Sequence, residues 1–265
     1  MKSLKRRLNA ISYPLGVIVL IVVLWEVVVR VFNVPVSLVP APSVVFNEII
    51  RRAGYLASNA LLTLWEALVG FFFAALVGFS LGVLLSLSSL VRRTVYPLLV
   101  TIQVWPKIAL APLIVVLLGW GMLPKVLISF IIGVLPMVIN TLAGMLNTSD
   151  EAFHLAHSMG ASGRQIFFRI KLPNAMPCIF AGLKIAVTLA LIGAFLAEYL
   201  ASGRGLGVVL LVAYGAANAK LLFAGAAIMS ILGYILFLII DGAERLAIPW
   251  HVSQRGEAAE ARETY

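Results

Sequence analysis

Apolar residues run along this chain in blocks of eighteen to thirty positions, and polar residues collect in the gaps between the blocks. Blocks of that length match the hydrocarbon thickness of a bilayer, which an α-helix of roughly 20 residues crosses. Six are read here: about Leu15 to Phe32, Leu61 to Leu87, Val95 to Leu118, a fourth ending near Leu146, Pro177 to Leu200, and Leu222 to Ile240. The expected fold is an all-α integral membrane protein with six transmembrane helices. Residues 1–14 form an N-terminal segment, 15–250 the membrane domain and 251–265 a tail. The first block is too long for a signal-peptide core and lacks a small-residue cleavage site, so it is expected to stay as a helix.

Inside the blocks the pattern is uneven. Gly70, Ala74, Gly78 and Gly82 repeat at i, i+4, and so do Gly182, Ala186, Ala190 and Ala194. Small residues at that spacing let another helix come close. Glu198 occupies the next position on the second ladder. It could face a partner helix, neutralise Lys107, or lie at the outer membrane surface, which is the simplest placement. The third block contains Pro97, Pro106 and Pro112 and is not expected to be one straight helix. Lys107 follows Pro106 well inside that block, where an ionisable residue marks a solute path or a paired charge. Gln103, Trp105, Lys107 and Glu198 are therefore the candidate residues of a translocation path. Between the blocks, VPVSLVPAPSVV and Phe46 to Ser58 suggest an external connection with a short interfacial helix. Pro124 and Lys125 suggest an external turn, and SGRGLG onward to Lys220 another external connection with a partly inserted helix.

Composition agrees with the blocks: of 265 residues, 62% are hydrophobic and 12% charged, so an ordinary soluble domain is excluded. The net charge of +9 points to membrane orientation rather than nucleic acid, because the basic residues flank the apolar blocks. Six crossings with both ends inside place Lys2, Lys5, Arg6, Arg7, Arg92, Arg93, Arg164, Arg169, Lys171, Arg245, Arg255 and Arg262 on the inner side. Arg51, Arg52, Lys125, Arg204 and Lys220 remain outside. The asymmetry follows the positive-inside rule. One cysteine, Cys178, permits no internal disulfide and suits packing. His154, His157 and His251 are too scattered for a metal site.

The longest polar gap, Thr148 to Pro173, reads as two short helices broken at a glycine. Thr148 with Glu151 and Ser162 with Gln165 fit the capping-box spacing. Gly160 suits a left-handed close of the first helix, and Pro173 is expected to end the second. Ala152, Leu155, Ala156 and Met159 form an apolar face, as do Ile166 and Ile170, with Arg164, Arg169 and Lys171 in water. Such a segment either lies on the protein's own helix ends or docks a partner.

This stretch resembles the coupling loop of the permease subunits of ABC importers, whose pattern is EAA, three residues, Gly, nine residues, Ile, one residue, Leu-Pro. Ala156, Gly160, Ile170, Leu172 and Pro173 stand at the required spacing. The pattern's glutamate falls on His154 and its first alanine on Leu155. That substitution implies a neutral or pH-sensitive contact in place of a fixed negative charge. VPAPSVVF, ALAPLIVVLLGWG and AEYLASGRGLG are similar to the nitrate/sulfonate/taurine branch of these permeases. VWPKIALAPL is similar to members associated with small organic solutes, including pyrimidine and flavin compounds.

The resemblance implies a type I importer permease in the bacterial inner membrane, with the loop in the cytoplasm between helices 4 and 5. Its expected partners are a second copy of itself, two ATP-binding cassette subunits, an external solute-binding protein and the lipid bilayer. It also implies ATPase-coupling roles for His154, Leu155, Ala156, Gly160, Ile170, Leu172 and Pro173. The chain contains no G-x-x-x-x-G-K-[ST] loop and no catalytic constellation. No cofactor is expected in it; ATP and Mg would be bound by the partner ATPase. A secondary transporter, or a membrane scaffold or channel without an ATPase, is the competing reading. The first would typically show repeated halves and midplane charges, and no clear repeat joins residues 1–130 to 131–265.

Overall fold

The two small-residue ladders face one central helix. In the computed structural model of the chain, the described residues are 2–148, 150–201 and 203–249, with side chains described for 16–107, 109–148, 154–200 and 203–249. They form eleven α-helices: α1 (Lys2–Val31), α2 (Pro42–Arg51), α3 (Ala53–Leu87), α4 (Ser89–Val104), α5 (Lys107–Leu118), α6 (Met122–Leu146), α7 (Asp150–Ser158), α8 (Gly163–Ile166), α9 (Leu172–Ala201), α10 (Leu206–Gly215) and α11 (Ala219–Ala247). A π-helical turn, Phe167–Lys171, joins α8 to α9. No strand occurs among the described residues.

α3, α6 and α9 form the core. A Cβ on Gly78 would stand 2.6 Å from the Met137 Cβ, and one on Gly193 2.7 Å from the Ser129 Cα. Only hydrogen fits at those two crossings. Ala74, Ala186, Ala190 and Ala194 are fully buried between the same helices. α3 and α6 run parallel, Gly70 opposite Ser129 and Gly82 opposite Thr141, while α9 runs antiparallel to both. Both ladders therefore do what their spacing suggests.

Helices α3, α6, α9 with its short lead-in, and α11 are long and apolar enough to cross a membrane, and the bent pair α4–α5 adds a fifth when counted as one broken span. In α1 the side chains of Val17 to Leu24 are exposed and apolar. Glu26 pairs with Arg30 at 2.6 Å and also accepts the Ser43 N–H at 2.9 Å, anchoring the first turn of α2. Trp25 meets Phe223 with ring centroids 5.8 Å apart, seating α1 on α11.

Several boundaries differ from the sequence reading. Phe46 to Ser58 is not one helix; α2 stops at Arg51 and α3 begins at Ala53. The third span breaks at Trp105–Pro106, its halves bent by 96°. Trp105 is extended (φ −60°, ψ 136°) because a following proline disfavours helical geometry. Arg92 and Arg93 lie inside α4, and the turn before it is at Ser88. Pro124 and Lys125 belong to the first turn of α6, not to a loop; Gly119 (φ 77°) and Gly121 (φ 148°) make the turn instead. Pro173 does not end a helix. It sits at the start of α9, where a missing N–H costs little, and the widened π turn before it accommodates its ring.

The Glu151 half of the first capping box, Ala152, and the charged positions Lys2, Lys5, Arg6, Arg7, Arg255 and Arg262 lie outside the residues whose side chains are described, as do His251 and the tail 251–265.

Candidate functional site

At the end of the core where α3 and α6 finish and α9 begins, the α7–α8 segment closes the gap. α7 ends in a Schellman arrangement. The Ala161 N–H donates to the Ala156 carbonyl at 3.0 Å, the Gly160 N–H to the His157 carbonyl at 3.0 Å, and Gly160 is left-handed (φ 75°). Ser162 then caps α8. Its hydroxyl accepts the Gln165 N–H at 3.3 Å, and its own N–H donates to Gln165 Oε1 at 2.8 Å. Gly160 has open space around its α-carbon, so the demand for glycine is conformational there.

The apolar residues of this segment divide between two tasks. Ala156 and Ile166 are buried against the chain itself, and Phe167 and Leu172 pack on the cluster of Met137, Met145, Ala175 and Ile179. Leu155 and Met159 point away, 64% and 78% exposed. His154, Gly160 and Arg164 are exposed beside them, while Ile170, Leu172 and Pro173 are half-buried at the entry to α9. Both readings of the stretch therefore have residues to carry them. A bistable packing is not needed to expose the apolar edge: the two caps hold it out.

The opposite end of the core holds a cluster that the sequence reading did not assemble. Glu198 is not paired with Lys107; it faces a neighbouring helix, α3, and is fully buried. The Thr63 hydroxyl donates to Glu198 Oε1 at 2.7 Å, and the Gly207 N–H donates to Oε2 at 2.8 Å. Lys125, 5% exposed, donates to Glu66 Oε1 at 2.8 Å and to the Arg204 carbonyl at 3.1 Å. The Leu206 N–H donates to Thr63 Oγ1 at 2.9 Å and the Gly205 N–H to Asn59 Oδ1 at 2.8 Å. Glu66 and Glu198 are neighbours, and Glu66 Oε2 is buried with no hydrogen-bond partner among the described residues.

This cluster fastens the GRGLG turn between α9 and α10. Gly205 (φ 123°) passes directly over the Glu198 carboxyl, which a Cβ would strike. The Arg204 carbonyl and the N–H groups of Gly205, Leu206 and Gly207 thus find buried side-chain partners, as buried irregular backbone requires.

The signal was present in the spacing. Asn59, Thr63 and Glu66 lead into the Gly70–Gly82 ladder at helical intervals, Lys125 and Ser129 do the same on α6, and Glu198 extends the ladder of α9. Each small-residue face ends in polar groups at the same end of the core.

The remaining path candidates stay apart. Gln103 and Trp105 are exposed on α4 and at the α4–α5 break, and Lys107 opens α5 half-buried. The Lys107 ammonium has no hydrogen bond or ion pair among the described residues, and Glu198 lies in the cluster across the core. Nothing resembling a metal cluster of His, Cys, Asp or Glu occurs among the described residues.

This arrangement has relatives. The formylaminopyrimidine transport permease protein ThiX of Halalkalibacterium halodurans is 32% identical over 252 residues, covering 95% of this chain and all of the relative. The riboflavin transport system permease protein RibX of Chloroflexus aurantiacus is 30% identical, covering 94% and 95%. The taurine transport system permease protein TauC of Escherichia coli is 26% identical, covering 91% and 90%. Among solved structures, a chain of the inward-facing MetNI methionine ABC transporter superposes with a TM-score of 0.65 at 20% identity, over 74% of this chain and 97% of that one. Residues 70–249, which contain the α7–α8 segment and most of the core, match the family described as the binding-protein-dependent transport system inner membrane component, and the chain belongs to that family of ABC transporter permeases.

Proposed function

We propose that this chain is the translocating subunit of an ATP-driven importer, taking a small solute from an external binding protein. Two copies would pair, and each would engage one ATP-binding cassette subunit through residues 148–173 in the cytoplasm, with six crossings and both chain ends inside. The observation that carries this reading is the outward-held apolar edge of Leu155 and Met159, between His154 and Arg164. Exposed apolar groups on a capped, water-facing segment suit a groove on a soluble protein. Leu155, Ala156, Gly160, Ile170, Leu172 and Pro173 would set the segment's position and His154 its polar contact. ATP and Mg would reside in the partner, whose closure would rock the helices between outward and inward openings as rigid bodies.

The solute is proposed to be a small heteroaromatic compound. The support is that two of the relatives above, at 30% identity or more, are a formylaminopyrimidine and a riboflavin transport permease. Lys107 would be the polar group of the path, since it lies at the bend of the pair and its ammonium has no hydrogen bond or ion pair among the described residues.

Co-purification of the ATPase and nucleotide-dependent uptake into vesicles test the reading together. Leu155→Asp with Met159→Asp is expected to abolish both while the permease still folds. Uptake driven by an ion gradient without nucleotide would establish the secondary-transporter reading in its place. Normal transport by Lys107→Ala would remove that residue from the path, and competition by a pyrimidine, a flavin and taurine would rank the solute classes.

A further inference from the structure

A second charged cluster sits between α9 and α11. Val187 and Leu191 of α9 share an apolar cluster with Leu232, Leu236 and Ile240 of α11. One turn nearer the α7–α8 segment this seam changes character. Lys184 Nζ lies 2.5 Å from Asp241 Oδ1 and 2.5 Å from Glu244 Oε2, with the Phe237 ring centre at 5.4 Å. Arg245 Nε donates to Asp241 Oδ2 at 2.9 Å. The side chains of Lys184, Asp241 and Glu244 are only 14–21% exposed, so the three charges meet largely out of water. Gly182 packs on Asn140, about two turns before α6 ends. Two residues on, Lys184 leaves the other side of α9 toward α11.

An ionisable group at that depth marks a pathway or a paired charge. A solute site would present a charge of one sign, and here two cations meet two carboxylates. Nor is the set needed as cement. Burial strips charged groups of hydration, and replacing a buried set by apolar residues is often neutral or stabilising. What the set adds is direction. Apolar side chains slide over one another at little cost, whereas the Lys184 ammonium is held by carboxylates on successive turns of α11. A slip of α11 along α9 by one turn, about 5.4 Å, would part the ammonium from at least one of them.

The two helices differ in how they reach the α7–α8 segment. α9 continues from it through the π turn, and α11 is joined to α9 sideways across the seam. We propose that Lys184, Asp241 and Glu244 are positioning residues of the transport cycle: they clamp α11 to α9, so that a displacement of α9 delivered through the α7–α8 segment carries α11 with it. The proposal rests on the importer reading.

The test uses the assembled importer in nanodiscs, with Cys178→Ser removing the native thiol and spin labels on cysteines at exposed Arg169 and Leu246. Labels at Arg169 in both copies report movement of α9 between nucleotide-free and ATP–vanadate-trapped states. Labels at Arg169 and Leu246 in one copy report whether α11 follows. In the unmodified complex the first separation is expected to change and the second to stay constant. Lys184→Met with Asp241→Asn and Glu244→Gln removes the clamp without stranding a buried charge. It is expected to keep its ATPase and its thermal midpoint, while the second separation becomes state-dependent by about 2 Å or more. Lys184→Arg, which keeps the cation, is expected to hold that separation constant. A constant separation in the neutral variant, or a state-dependent one in the unmodified complex, would overturn the clamp and leave the importer reading intact. No nucleotide-dependent movement of α9 in the unmodified complex would overturn both.

Discussion

The two ends of α9 carry the most polar stretches of the core, and the fold treats them in opposite ways. At the Glu198 end, two carboxyls, an ammonium, a hydroxyl and an amide side chain are buried and used to hold a glycine-rich turn. At the Pro173 end the caps of α7 and α8 expend their polar groups on holding apolar side chains out. One end turns its polar groups inward, with Glu66 Oε2 the buried oxygen left without a partner among the described residues; the other leaves apolar side chains exposed. The difference is that most of the buried polar groups find partners within the chain at the first end, while Leu155 and Met159 find little apolar contact at the second.

The largest effect belongs to the end whose polar groups turn inward. Lys125→Met strands Glu66 as a buried, unpaired carboxylate. Removing one partner of such a pair costs about 3–5 kcal/mol, so thermal unfolding in detergent should show a large fall in midpoint. Adding Glu66→Gln should recover part of it. An unchanged midpoint for Lys125→Met would mean that the cluster does not fasten the core.

Thr63→Val removes the acceptor of the Leu206 N–H and a donor to Glu198. An orphaned buried group costs about 1–3 kcal/mol, and hydrogen exchange should accelerate first at residues 204–207. Exchange that rises uniformly along the chain would show that the turn has no separate anchorage. At the other end, Ser162→Ala removes one N-cap, worth about 1 kcal/mol. Its effect should stay within α8 and leave the midpoint of the core unmoved.

The smallest effect on stability is expected from Leu155→Asp with Met159→Asp, because both side chains are exposed. Substitutions of that kind stay within about 0.5 kcal/mol. The same variant should lose its ATPase. A large fall in midpoint would show instead that the edge packs within the permease and that the contrast between the two ends is false.

Much of the fold was legible because it is written in one-dimensional patterns. The ladders on α3 and α9 specify close crossings directly, and Gly160 and Ser162 specify their own caps. The bend at Trp105–Pro106 was legible as an interruption but not as an angle. Lys125 was misread for a physical reason. Beside Pro124, after two glycines, it has the local surroundings of a turn, and only Glu66, 59 positions earlier, makes its burial tolerable. Glu198 stayed open among three placements for a similar reason, since its partners on α3 and in the following turn are set by the crossing of helices. The exposed edge of Leu155 and Met159 could not be separated from the buried Ala156 by periodicity alone. Which flank of a short amphipathic helix faces inward depends on what the chain places next to it.

The π turn at Phe167–Lys171 has a mechanical consequence. Because Pro173 widens the helix instead of ending it, residues 163–200 form one uninterrupted helical rod of 38 residues. At 1.5 Å per residue it is about 57 Å long, well beyond the ~30 Å of the hydrocarbon layer. A rod has no slack. A push delivered at Arg164 would reach Glu198 as tilt or rotation of the whole rod.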